Sequence, residues 1–152
     1  MSLGAELAAR FDSGEGRVGV IGLGYVGLPL CLEFARKLSV LGFDVDAEKI
    51  EKLNAGRSYI GHIDEEKIAA ARDSGRFSAT SDFSRLAEVD AILICVPTPL
   101  GPGREPDLSY VSATAETIAR HLRRGQLVSL ESTTYPGTTE EILLPRIKRN
   151  GW

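Results

Sequence analysis

The chain has 152 residues, 43% of them hydrophobic and 26% charged, with a formal net charge of −3. That balance fits one domain with a substantial core and argues against disordered, fibrous or repeat architectures. A mildly acidic chain with dispersed Lys and Arg presents no nucleic-acid or anionic-membrane surface, no apolar run is long enough to span a bilayer, and no secretory pattern opens it, so a soluble cytoplasmic protein is expected.

Leu3, Leu7, Ala8 and Phe11 recur at helical spacing before the breaker run Asp12-Ser13-Gly14-Glu15-Gly16. Residues 1–16 are therefore expected to form a leading helix and linker ahead of a domain spanning 17–152. Val18 to Ile21 is a short apolar, mostly β-branched run, as a strand buried on both faces of a parallel sheet requires. Gly22, Gly24 and Gly27 follow at once in a G-x-G-x-x-G hexad. In that arrangement the first glycine permits a tight turn, the second lets the main chain approach a pyrophosphate, and the third lets the next helix pack closely. The amides at that helix start, aided by its dipole, suit phosphates. A helix is expected from Leu28 to Lys37, with Pro29 in its tolerant first turn, and a second strand from Leu38 to Phe43. Asp44 ends that strand about twenty residues after the hexad, where a dinucleotide fingerprint places its acid.

Asp46 is expected to cap a helix through Leu53, and Asp64 a more polar one over Glu65–Ser74. Phe77 to Thr80 reads as an edge strand and Ser81 to Glu88 as a short helix. Asp90 to Val96 is the strongest strand signal, too continuous for an edge and so expected near the centre of the sheet. The loop Pro97 to Pro106 is too rich in proline and glycine for regular structure. Asp107 then opens a helix with an apolar stripe of Val111, Ala115, Ile118, Ala119 and Leu122, followed by a strand from Gln126 to Glu131. After the loop Ser132 to Gly137, a last helix from Thr138 turns Ile142, Leu143 and Ile147 inward. Strands alternating with helices imply right-handed crossovers, hence an α/β, Rossmann-like, doubly wound parallel sheet with helices on both faces.

Ligands of such sheets lie beyond the carboxyl ends of the strands, where four loop segments should converge. Asp44 can accept both ribose hydroxyls of an adenosine moiety, and its charge would repel the extra phosphate of NADP, so NAD is the expected cofactor. It could instead be a turn residue beside the Asp46 cap. Lys49 either covers the same ribose or is merely solvated. Thr98 and Thr133 follow buried strands and either reach the far half of the cofactor or form local turns. Tyr25 points toward a ligand or covers the sheet edge. Glu131 is not assigned as a base. Cys31 and Cys95 read as reduced core thiols, and two scattered histidines give no metal site. His121 with Arg120, Arg123 and Arg124 reads as a solvated basic face closing a helix.

Three ordered motifs, G-L-G-Y-V-G-L-P from Gly22, C-V-P-T-P from Cys95 and E-S-T-T-Y-P-G from Glu131, together resemble the UDP-glucose/GDP-mannose dehydrogenase family. The resemblance runs from Arg17 onward and corresponds to the amino-terminal, NAD-binding domain of those enzymes. The loop Ser58-Tyr59-Ile60-Gly61-His62-Ile63 and the Ser132 to Pro136 variant look closer to the UDP-N-acetylglucosamine 6-dehydrogenase branch. The resemblance implies oxidation of a nucleotide sugar's C6 alcohol to a carboxylate with two NAD, through aldehyde and thioester stages. It implies Gly22, Gly24, Tyr25, Val26 and Gly27 at the pyrophosphate and Asp44 and Lys49 at the adenosine ribose. Val96, Pro97, Thr98, Ser132 and Thr133 would line the rest, with Thr133 helping to position a catalytic water. The family's nucleophilic cysteine belongs to a later motif not found among these residues. This chain is therefore expected to bind NAD without turnover, with the UDP-sugar held by further domains of a full-length homo-oligomer. The competing reading is a nucleotide-sensing module without catalysis, although a sensor has no need of Thr98 between prolines or of Ser132-Thr133 at a reaction centre. A 3-hydroxyacid dehydrogenase begins with a similar turn but fits Val96 to Pro99 less well.

Overall fold

A computed structural model describes all residues, 1–152. Five parallel strands, β1 (Arg17–Ile21), β2 (Ser39–Phe43), β3 (Phe77–Thr80), β4 (Ala91–Ile94) and β5 (Leu127–Leu130), form one sheet in the order β3-β2-β1-β4-β5. The chain builds outward from β1 to β3, then returns to lay β4 against the other side of β1. That reversal is a topological switch point, and it opens a crevice beyond the carboxyl ends of β1 and β4. The Phe77–Thr80 segment is an edge strand, as its sequence indicates, and β4 lies inside the sheet beside the central β1.

Helices cover both faces. Alternation along β1 sends Val18 and Val20 to one side, where they pack with Leu28 and Cys31 of α2 (Gly27–Phe34), Leu53 of α3 (Ala47–Asn54) and Ile68 of α4 (Glu65–Asp73). Ile21 faces the other side with Phe43, Ile92 and Ile94, beneath Ala115, Ile118 and Ala119 of α5 (Ser109–His121) and Ile147 of α6 (Leu144–Lys148). No helix is long and apolar enough to cross a membrane.

Several local expectations change. The helix expected to run to Lys37 stops at Phe34, because residues 35–37 continue as turns. Asp46 caps α3 by accepting the Glu48 and Lys49 amides, whereas Asp64 makes no side-chain cap at α4. The Pro97–Pro106 loop is irregular except for one bridge, Leu100 to Pro106, which closes a small turn. The last helix begins as a π-helical turn over Thr139–Leu143.

The amino-terminal end of the sheet is locked by an ion cluster. Asp90, buried at the foot of β4, accepts from the Arg17 amide at 2.9 Å, from Arg10 of α1 (Leu3–Asp12) at 3.1 Å and from Arg123 at 2.7 Å. Arg123 is therefore not simply a solvated base: its guanidinium also donates to the carbonyls of Ala87 and Val89. Burial opposes ionisation of Asp90, but these donors prevail and hold its carboxyl below the usual carboxylate range.

Candidate functional site

At the opposite end of the sheet, β1 gives way to the glycine turn. Gly22 has φ +96°, and a Cβ there would lie 2.6 Å from the Cys95 carbonyl oxygen, so conformation and space both demand glycine. A Cβ on Gly27 would stand 1.7 Å from the Gly22 oxygen, which is why α2 can start directly against the turn. The amides of Gly24, Tyr25, Val26 and Gly27 find no acceptor in the protein. No acidic residue occupies the first turn of α2, unlike α3 and α4. The turn thus presents a run of free donors at a positive helix end, with the side chains of Tyr25 and Val26 exposed around it.

Asp44 faces this turn from the end of β2. Its Oδ2 accepts the Leu23 amide at 2.9 Å and its Oδ1 accepts the Asp46 amide at 3.0 Å. The turn-forming role is therefore realised, and each carboxylate oxygen keeps a second lone pair. A cleft of about 450 Å³ opens between these elements, a size usual for small-molecule sites. Gly22, Asp44, Lys49, Val96 and Pro97 all line it, which brings three of the four predicted segments together. Lys49 is held as well as wet, its Nζ lying 5.5 Å from the centre of the Tyr59 ring.

The fourth segment joins indirectly. The Thr98 hydroxyl donates to the Thr133 carbonyl at 2.7 Å, and the Ser132 hydroxyl donates to the Val96 carbonyl at 2.8 Å. These hydroxyls stitch the loops after β4 and β5 to each other, and neither Ser132 nor Thr133 lines the cleft. Beneath the turn, burial pushes the Cys95 thiol up to about 11, with Glu131 adding to the effect, and pushes fully buried Cys31 higher still. Both are neutral thiols at physiological pH, without nucleophilic character. No group of His, Cys, Asp and Glu is arranged to hold a metal ion.

Sequence reasoning missed part of the cleft. Its far wall is Tyr110, Ala113, Thr114 and Thr117 of α5, and Phe83 also contributes. The α5 residues carry a readable signal, a second stripe at helical spacing to one side of the buried one. A larger groove of about 650 Å³ lies between α2 and α4, away from the strand ends. Its lining mixes Glu33, Arg36, His62, Lys67 and Arg76 with apolar side chains.

Residues 16–151 match the family model described as the UDP-glucose/GDP-mannose dehydrogenase family, NAD binding domain. The chain belongs to that family. Among similar members of the UDP-glucose/GDP-mannose dehydrogenase family, a UDP-N-acetyl-D-glucosamine 6-dehydrogenase of Salmonella typhi is 39% identical over 139 residues, covering 91% of this chain and 32% of that protein. A UDP-N-acetyl-D-mannosamine dehydrogenase of Escherichia coli (strain K12) is 40% identical over 126 residues, covering 82% and 30% respectively. The crystal structure of a ternary complex of GDP-mannose dehydrogenase from Pseudomonas aeruginosa superposes with a TM-score of 0.84 at 32% identity, covering 88% of this chain and 32% of that one. The chain spans about a third of the length of the curated relatives it matches.

Proposed function

We propose that residues 17–152, preceded by a leading helix and linker over 1–16, hold NAD for a nucleotide-sugar 6-dehydrogenase that oxidises the C6 alcohol of a UDP-sugar to a carboxylate with two NAD. The observation that carries this reading is the pairing at Leu23. Free amides of Gly24, Tyr25, Val26 and Gly27 begin one residue beyond an amide that Asp44 accepts, so pyrophosphate donors and a ribose acceptor sit side by side. Bound NAD supplies the hydride acceptor. The chain's own residues bind and orient it: Gly22, Gly24 and Gly27 leave room for the phosphates, and Asp44 and Lys49 take the adenosine ribose. Val96, Pro97 and Thr98 flank the route to the far half, and Ser132 and Thr133, just outside the cleft itself, are assigned to that half, with Thr133 positioning a water. The Thr98 to Thr133 bond supports this by holding the two loops in one arrangement.

The substrate reading extends to the class of UDP-sugar, of the N-acetylglucosamine or glucose type. Relatives of nearly equal identity bear names with different sugars, which supports assigning the class of sugar nucleotide from this domain. The sugar and the nucleophile belong to further domains of a homo-oligomeric enzyme. We place the enzyme in the cytoplasm, a compartment in which two unpaired thiols persist reduced. Calorimetric titration of the chain with NAD and NADP tests the reading, with NAD expected to bind more tightly. NADP binding as well or better would overturn it. With UDP-N-acetylglucosamine or UDP-glucose added, the chain alone is expected to form no NADH, since the sugar site and the nucleophile are assigned to further domains and neither Cys31 nor Cys95, both neutral, substitutes for that nucleophile.

A further inference from the structure

The glycine turn is braced by a segment outside its own strand and helix. The loop from Ser58 to Ile63, between α3 and α4, touches it twice. The Tyr59 hydroxyl donates to the Leu23 carbonyl, and the His62 ring stacks on Tyr25 with centroids 5.8 Å apart and planes 14° from parallel. The loop is itself fixed. Buried Ile60 and Ile63 root it in the core, and the Ser58 hydroxyl both donates to the Ile60 carbonyl at 2.8 Å and accepts the Ile60 amide at 3.1 Å. Lys49 closes over the Tyr59 ring.

The geometry matters because of what the Leu23 oxygen is attached to. It belongs to the same planar trans peptide as the Gly24 amide, whose N–H points opposite to that C=O. Gly24 has no Cβ, and nothing lies within 4 Å of where one would stand, so no side-chain packing at Gly24 itself fixes that peptide. Anchoring the oxygen aims the first free amide of the cradle. Asp44 accepts the Leu23 N–H, which belongs to the preceding peptide, so the two peptides flanking Leu23 are pinned from two directions.

We propose that Tyr59 is a positioning residue for the phosphate cradle: its hydroxyl fixes the Leu23–Gly24 peptide so that the Gly24 amide faces a bound pyrophosphate. Burial, with Asp44 and Asp46 nearby, pushes the phenol above its usual range, so it remains a donor at neutral pH. The proposal rests on the NAD-binding reading of the same turn and adds a residue from outside the dinucleotide fingerprint.

The test is Tyr59→Phe, which keeps the ring, its packing and the Lys49 contact and removes only the donor. NAD and ADP are expected to bind about three- to tenfold more weakly, the range of one hydrogen bond, while adenosine, which has no phosphate, keeps its affinity. In ligand-free protein the Gly24 amide resonance should shift, with the amides around Asp90 unchanged. Equal weakening of adenosine and ADP would reduce Tyr59 to general support and overturn the proposal. So would an unchanged NAD affinity and Gly24 resonance in a variant whose parent binds NAD, and in that case the NAD reading survives. A parent that does not bind NAD instead removes that reading, and the ligand-free Gly24 resonance still decides whether Tyr59 holds the peptide.

Discussion

Replacing Asp44 with alanine separates its two tasks. Each carboxylate oxygen already accepts one amide, Leu23 at 2.9 Å and Asp46 at 3.0 Å, which leaves an acceptor position on each for a ribose hydroxyl. Hydrogen bonds to a charged group contribute about 1.5–3 kcal/mol each. Because the carboxylate is partly open to water, the low end applies, and Asp44→Ala should weaken NAD about 10- to 100-fold. NADP responds differently. A 2′-phosphate about 4 Å from the carboxylate would be repelled by roughly 4 kcal/mol at an effective dielectric near 20, less once salt screens it. Alanine removes that repulsion together with the ribose bonds, so the preference for NAD should narrow by about tenfold or more. Titration calorimetry with both cofactors at fixed ionic strength measures the ratio. Asp44→Asn serves as the control, since its amide oxygen can still accept from Leu23 while the charge is gone; it too should narrow the preference. If alanine weakened NAD and NADP by the same factor, Asp44 would be a loop anchor only, and the selectivity argument would fail.

Gly27→Ala drives a methyl to 1.7 Å from the Gly22 oxygen, so α2 must retreat from the turn. A loss of about 1–3 kcal/mol in urea unfolding is expected, with NAD affinity falling as the amides move; an unchanged titration would show that the close approach is dispensable. Asp90→Asn should cost about 1–3 kcal/mol, less than a fully buried pair, because Arg10 and Arg123 are 46% and 42% exposed and can turn to water. The pH dependence has a fixed sign. A carboxyl held below its unfolded value of about 4 contributes stability above that pH and loses it as the pH falls through the lower folded value. Wild type should therefore lose more stability than Asp90→Asn on acidification below about pH 4, and parallel melting curves would refute it.

The fold was legible because interior parallel strands are continuous apolar runs, and the glycine hexad marks the strand that starts the winding. Asp44 was legible by position. Asp90 was not: an acid at the start of an apolar run looks like a strand boundary, and its arginine partners lie 80 and 33 residues away in sequence. Tyr59 sits in a loop with no periodicity, so nothing local aims its hydroxyl at Leu23. Thr98 and Ser132 were placed in the right loops, but their hydroxyls serve carbonyls left without ladder partners where the strands end. The π-helical turn before α6 follows from Pro145, which has no amide to give to the preceding turn, while the Leu144 amide reaches back to the Thr139 carbonyl.

The two ends of the sheet divide the labour physically. At the amino end, Asp90 receives an amide and two guanidinium groups, so its charge is fully answered within the protein. At the carboxyl end, four amides and a carboxylate keep bonding capacity in reserve, around the exposed Tyr25 and Val26. β1 joins the two regimes: the Arg17 amide is spent on Asp90, and the Gly22 amide on the Phe43 carbonyl at 2.8 Å, just before the free donors begin. The amino end is thus tied together by the Asp90 cluster, and the carboxyl end, where we propose that the cofactor binds, is held by backbone clasps from Asp44 and Tyr59. Substitutions in the Asp90 cluster should then lower the melting temperature with little change in cofactor affinity while the protein remains folded, and Tyr59→Phe should do the reverse.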